Sequence, residues 1–180
     1  MSRRSIRNKR LCSSDPIYQS ILVRIFVTRI IQNGKKSLAY RILYSVFCQI
    51  QEKIQREPLA IMEHAIHIVT PTVQLKSRRV GGATYQVPIE VNPRQRTTLA
   101  IRWILISSCV RSERSINSRL SIEIIDASCG YGGAVRKREE IYRIAEVNKV
   151  FVRYRFLSFF LLSLIEFIFF LLFLKLFYGT

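Results

Sequence analysis

The stretch TPTVQLKSRRVGGATYQVPIEV, Thr70–Val91, decides the fold. Val73 and Leu75 alternate with Gln74 and Lys76, Gly81-Gly82 supplies a turn that needs φ > 0, and Tyr85, Val87, Ile89 and Val91 alternate on the return run. The pattern predicts a β-ribbon over about residues 72–91. It carries Lys76, Arg78 and Arg79 just before its turn. A lone two-stranded ribbon is marginal in water and needs something to lie against. A basic one suits nucleic acid, in a groove or along phosphates. The same pattern also serves as an ordinary surface hairpin whose charges keep an edge strand soluble.

Outward from the ribbon the sequence reads as helices. Asp15-Pro16 gives an N-cap and first-turn signal, and Ile17, Ile21, Leu22, Ile25, Phe26 and Ile30 follow at helical spacing until Asn33-Gly34. A second helix is expected from about Lys35 to Arg56, with Leu38, Ile42, Leu43, Val46, Phe47, Ile50 and Ile54 on one face. Pro58 opens a third, with Leu59, Met62, Ala65, Ile66 and Val69, and Pro71 ends it. Asn92-Pro93 opens a fourth, which carries Leu99, Ala100, Trp103 and Ile104 toward Val110. After the charged loop Arg111–Ser115, a fifth holds Ile116, Leu120, Ile124, Ile125 and Ala127. Gly130-Tyr131-Gly132-Gly133 breaks it, and a sixth runs from Ala134 toward Arg155. The expectation is a mainly α fold: a six-helix, bundle-like body with one protruding β-hairpin between the third and fourth helices.

Charge points to the partner. The 180 residues hold 29 Lys+Arg against 12 Asp+Glu, a net of +17. Such a chain repels itself unless a polyanion, nucleic acid or an anionic membrane surface, neutralises it. Residues 1–14 hold Arg3, Arg4, Arg7, Lys9 and Arg10, which reads as an arm disordered alone that orders on RNA phosphates, or as a solvated tail. Lys35 and Lys36 open the second helix, Arg94 and Arg96 the fourth, and Arg136, Lys137 and Arg138 the sixth. Cations at a helix N-terminus oppose the macrodipole, so their placement makes sense where phosphates arrive. Arg102, Arg111, Arg114, Arg119 and Arg143 complete the candidate RNA-binding set. The alternative is a set of partly solvated faces balanced by Glu139 and Glu140. Arg outnumbers Lys, which suits bidentate phosphate contacts. Tyr85 stands alone beside the turn, so backbone and shape recognition of folded RNA is favoured over base stacking.

Other chemistries find little footing. Gly34-Lys35-Lys36-Ser37 lacks the upstream glycine of a P-loop, because position 30 is Ile30. His64 and His67 share a helix face without a third metal ligand nearby. Cys12, Cys48, Cys109 and Cys129 form no CxxC pair, and Cys48 and Cys109 are expected to pack as small hydrophobes in apolar helical runs. Asp126 has no obvious acidic partner. No catalytic set, cofactor or metal is expected. No secretory signal is expected either, and the chain reads as made in the compartment where it works. Residues 156–180 differ from the rest, with Glu166 and Lys175 their only charges. Phe156 to Tyr178 is long enough to cross a bilayer, but Glu166 sits near its middle. The segment is expected to be an accessory or unselected extension, with a membrane tether through 156–178 as the alternative and a membrane-anchored basic protein as the corresponding second function.

Five motifs carry a resemblance: SDPIY at Ser14–Tyr18, NGKKSLAY at Asn33–Tyr40, the ribbon, LAIRWI at Leu99–Ile104 and AVRKREEIYRIAEVNK at Ala134–Lys149. Together they resemble the small-subunit ribosomal protein S-seven family over about residues 14–155, and SDPIY and GKKSLAY look most like its plastid form. The resemblance implies a helical body with a β-ribbon and a non-enzymatic structural role. It implies primary binding of small-subunit ribosomal RNA at the 3′ major domain, nucleation of head assembly, and a position near the exit-site path of tRNA and mRNA. Neighbouring small-subunit proteins are implied partners, and the plastid ribosome the implied location. The RNA-contacting positions it carries over are the N-terminal arm, Lys35, Lys36, Lys76, Arg78, Arg79, Arg94, Arg96 and the basic start of the last helix. Tyr142 departs from the family pattern, where His is usual.

Overall fold

In the computed structural model, residues 14–80 and 82–155 are described. Six α-helices form in chain order: α1 (Ile21–Ile30), α2 (Lys36–Ile54), α3 (Pro58–Val69), α4 (Pro93–Val110), α5 (Ile116–Ser128) and α6 (Gly133–Val147). Strands β1 (Val73–Val80) and β2 (Ala83–Glu90) lie between α3 and α4, and a 3-10 helix, Asn148–Arg155, follows α6. The expected class, a mainly helical chain with one hairpin between the third and fourth helices, is the observed one. The basic arm through residue 13 and the apolar segment 156–180 lie outside the described residues, so the readings placed on them are not addressed by the fold. Among the described residues no helix is long and apolar enough to cross a membrane.

The described chain divides into two compact units, one reaching to Thr70 and joined by Thr97–Arg136, the other made of Pro71–Arg96 and the residues from Lys137 onward. The first unit is a helical core. On α2, Ala39, Leu43, Val46, Phe47 and Ile50 recur at helical spacing and are buried. α5 packs on α2 and α3, burying Leu120, Ile124 and Ala127. From α3, Met62, Ala65, Ile66 and Val69 are buried, and from α4, Ala100, Ile101, Trp103 and Ile104. Local signals set the ends. Pro58 sits in the first turn of α3, and the Ser115 hydroxyl accepts the Ser118 N–H at 3.1 Å to cap α5.

Several expectations are corrected here. The first helix starts at Ile21, not Pro16. Asp15 does accept from the backbone N–H groups of Ile17 and Tyr18, at 3.2 and 3.1 Å, but the turn it closes ends at Gln19, whose φ of +50° leaves helical geometry. Ile17 and Ile21 are therefore exposed, and the buried face of α1 is Val23, Phe26 and Val27. Asp15 itself is buried and accepts from the Tyr44 hydroxyl of α2, so its side chain ties this turn to the core. The sixth helix ends at Val147 and continues as a 3-10 helix. Cys48 and Cys109 are exposed and do not pack as small hydrophobes in the core.

The second unit holds the ribbon. The antiparallel register runs from Val73 opposite Glu90 to Val80 opposite Ala83, and Gly82 has φ +92°, as the turn chemistry requires. Val87 and Val91 are buried. The 3-10 helix packs along β2, with the Phe151 ring 4.6 Å from that of Tyr85. Part of the cover that a two-stranded ribbon needs thus comes from the chain itself. Tyr85 does not stand alone beside the turn.

Candidate nucleic-acid interface

The first unit contains a charge hub that the sequence reading missed. Glu123 of α5 is 1% exposed. Its carboxylate accepts from Arg111 Nε at 2.6 Å and from the Ala134 N–H, in the first turn of α6, at 2.9 Å. Arg111 also donates to Asp126. Burial works against the Arg111 charge, but the bonds and charges of Asp126 and Glu123 outweigh it and hold its pKa above the ordinary value. The carboxylate also offsets the positive end of α6 from inside. Close approach is possible because positions 132 and 133 lack side chains: a Cβ on Gly132, where φ is +99°, would lie 3.1 Å from Glu123 Oε1. One signal was available in the sequence, a glutamate within the stripe Leu120, Ile124, Ala127. Asp126, without an acidic partner, has a basic one.

This hub sorts the candidate cations of the first unit. Arg111 is held by two carboxylates, so its guanidinium shapes the loop that follows. Arg119 donates to the Glu113 carbonyl across the same loop. Arg114, Arg102 and Arg136 are exposed. Lys35 is the N-cap residue of α2, after Asn33 and Gly34 at φ +52° and +75°, and has no side-chain cap bond; no acidic residue lies in the first turn. Lys36 follows, its Nζ 5.6 Å from the Tyr40 ring centroid, and both lysines are exposed. Sequence reasoning also passed over Arg29 at the end of α1, which lines one groove with Lys35.

The second unit places the ribbon cations in register. Lys76 lies opposite Val87, Arg78 opposite Tyr85 and Arg79 opposite Thr84. Alternation puts Lys76 and Arg78 on one face and Arg79 on the other. Lys76 and Arg79 are exposed and Arg78 is half-buried. Arg94 falls in the first turn of α4. Arg96 is tied to the ribbon root, donating from Nε to the Val91 carbonyl at 3.0 Å and pairing with Glu90 at 3.1 Å. The Val91 N–H in turn donates to the Thr72 carbonyl at 3.0 Å, and the Thr72 N–H donates to the Tyr142 hydroxyl, also at 3.0 Å. Arg96 and Tyr142 therefore brace the base of the ribbon. Lys137 and Arg138 are half-buried, with Arg138 near Glu139 at 4.0 Å, and Arg143 is exposed. His64 and His67 are both exposed on α3 of the first unit.

The class these features define is a basic helical protein with a braced, cationic β-hairpin between its third and fourth helices and lysines or arginines at helix starts. Within that class, the chain belongs to the ribosomal protein S7p/S5e family, whose model matches residues 2–149. A protein of Tupiella akineta called "Small ribosomal subunit protein uS7c" is 47% identical over 156 residues, covering 87% of this chain and all of that protein. One of the same name from Ostreococcus tauri is 49% identical over 156 residues, with the same coverage. Both are the plastid form, in keeping with the SDPIY and GKKSLAY motifs. The family is a structural, non-enzymatic constituent of the small ribosomal subunit.

Proposed function

We propose that the chain is a primary binder of small-subunit ribosomal RNA in the plastid ribosome, that it nucleates assembly of the head on the 3′ major domain, and that its ribbon lies near the exit-site path of tRNA and mRNA. The observation that carries the reading is unneutralised charge. Even if every one of the 12 carboxylates took one cation, 17 of the 29 Lys and Arg would remain. Two of the described carboxylates, Glu123 and Asp126, are also both taken by the single cation Arg111. Among the described residues, Lys35, Lys76, Arg78, Arg79, Arg102, Arg114 and Arg136 have no ion-pair partner, and each stands on a helix, strand or braced loop. Phosphates supply the missing charge, and each contact releases counterions. Rigid elements set the register of those contacts.

Arg111, Arg96 and Arg119 serve this function indirectly, by fixing the loop and the ribbon root. The remaining candidates, with Lys36, Arg94, Lys137, Arg138, Arg143 and the arm residues Arg3, Arg4, Arg7, Lys9 and Arg10, make the phosphate contacts. Neighbouring small-subunit proteins complete the surroundings. The test is co-sedimentation of the intact chain with small ribosomal subunits through a high-salt wash. Retention supports the reading, and quantitative release at moderate salt overturns it.

A further inference from the structure

A groove of about 400 Å³ opens in the first unit between the α1–α2 turn, the C-terminal end of α4 and the start of α5. Leu38, Ile42, Leu105 and Ile116 form aliphatic walls. Leu38 is 47% exposed and Ile116 41%, so apolar surface faces solvent here. Arg29 and Lys35 stand on the rim, both exposed, and among the described residues neither has an ion-pair partner. Among the described residues no aspartate or glutamate lines the groove.

We infer that this groove docks a protein segment of a neighbouring small-subunit protein, made of an aliphatic anchor side chain with a carboxylate beside it. The inference rests on the ribosomal reading above. Unpaired nucleobases are held by stacking on aromatic or guanidinium planes; among the described residues the walls here are branched aliphatic carbon with no aromatic ring, and the one guanidinium, that of Arg29, stands on the rim and not in the walls. Such walls suit a Leu, Ile or Met anchor. Of the two rim cations, Arg29 lies outside the RNA-binding set; with no internal carboxylate to satisfy it, it selects an acidic residue next to the anchor.

Cys109 lines the groove and is exposed, whereas Cys48 and Cys129 are exposed outside it, so the chain carries its own probe and controls. The experiment follows alkylation by iodoacetamide, resolved by peptide mass spectrometry, in three states: the free chain, the chain on protein-free small-subunit rRNA, and the chain in the complete small subunit. Cys109 is expected to react alike in the first two states and about tenfold slower in the third, the slowing that roughly 90% occupancy gives. Ile116→Glu, on an exposed helix start where a carboxylate favours the macrodipole, is expected to restore the rate in the complete subunit while sedimenting with rRNA as before. Slowing already present on rRNA alone assigns the groove to RNA and overturns the proposal. Undiminished Cys109 reactivity in the complete subunit also overturns it. A chain that sediments with rRNA but keeps Cys109 reactive refutes the groove alone; one that does not sediment with rRNA refutes both readings.

Discussion

Replacing Glu123 with alanine tests the charge hub under the basic loop. Wild-type Glu123 is 1% exposed and satisfies two donors, Arg111 Nε at 2.6 Å and the Ala134 N–H at 2.9 Å. Glu123→Ala removes a charge-assisted bond worth about 1.5–3 kcal/mol and strands a buried N–H at about 1–3 kcal/mol. Arg111 keeps Asp126 and is 24% exposed, so it is not left as a fully buried lone charge, and the full penalty for breaking a buried pair does not apply. The expected loss is about 3–4 kcal/mol, or roughly 10 °C in Tm for a chain of this size. Asp126→Ala is the control. Its side chain is 38% exposed, so its pair with Arg111 behaves as a surface bridge worth about 1 kcal/mol or less. Thermal unfolding followed by circular dichroism of both variants reads the ratio. A loss for Asp126→Ala equal to or above that for Glu123→Ala would refute the assignment of Glu123 as the hub.

Three further outcomes are expected. Arg78→Ala with Arg79→Ala should weaken RNA binding and reduce its salt slope by about two units or slightly less, and an unchanged slope would mean that neither side chain touches phosphate. Tyr142→Phe removes the acceptor of the Thr72 N–H at a cost of about 0.5–1 kcal/mol, because water can reach this exposed site; hydrogen exchange at the Thr72 amide should speed several-fold while the RNA salt slope stays the same. Tyr44 has its pKa raised from 10.0 to about 12, first by burial and then by its bond to Asp15. The folded state thus holds this proton more tightly than the unfolded one, so the contribution is whole below pH 10 and is lost as pH rises toward 12. The Tm gap between wild type and Tyr44→Phe should therefore shrink over that window, and a constant gap would count against the Asp15–Tyr44 tie.

Much of this molecule was legible because its signals are local. Period-two alternation around Gly81-Gly82 placed both strands within a residue or so, and Pro58 and Pro93 marked real helix starts. The failures share a cause. Asp15-Pro16 has the chemistry of a helix cap, but Gln19 adopts positive φ and Asp15 is recruited by Tyr44, 29 residues away. Their apolar helical runs assigned Cys48 and Cys109 to the core, while both side chains are exposed. For the interface, a list of cations could not separate Arg111 and Arg96, whose partners come from other elements, from Lys76, Arg79 and Arg114, which remain exposed. That distinction needs the tertiary contacts of Glu123, Glu90 and Val91.

The central claim is that this chain binds small-subunit rRNA directly and first. Titrating the purified chain onto protein-free small-subunit rRNA across a range of salt concentrations measures it most directly. The prediction is tight, saturable binding without other ribosomal proteins, with a steep salt slope reflecting many phosphate contacts and an affinity well above that for unrelated RNA of equal length. Equal affinity for both RNAs at every salt concentration, or binding to small-subunit rRNA only after other proteins have bound, would contradict it.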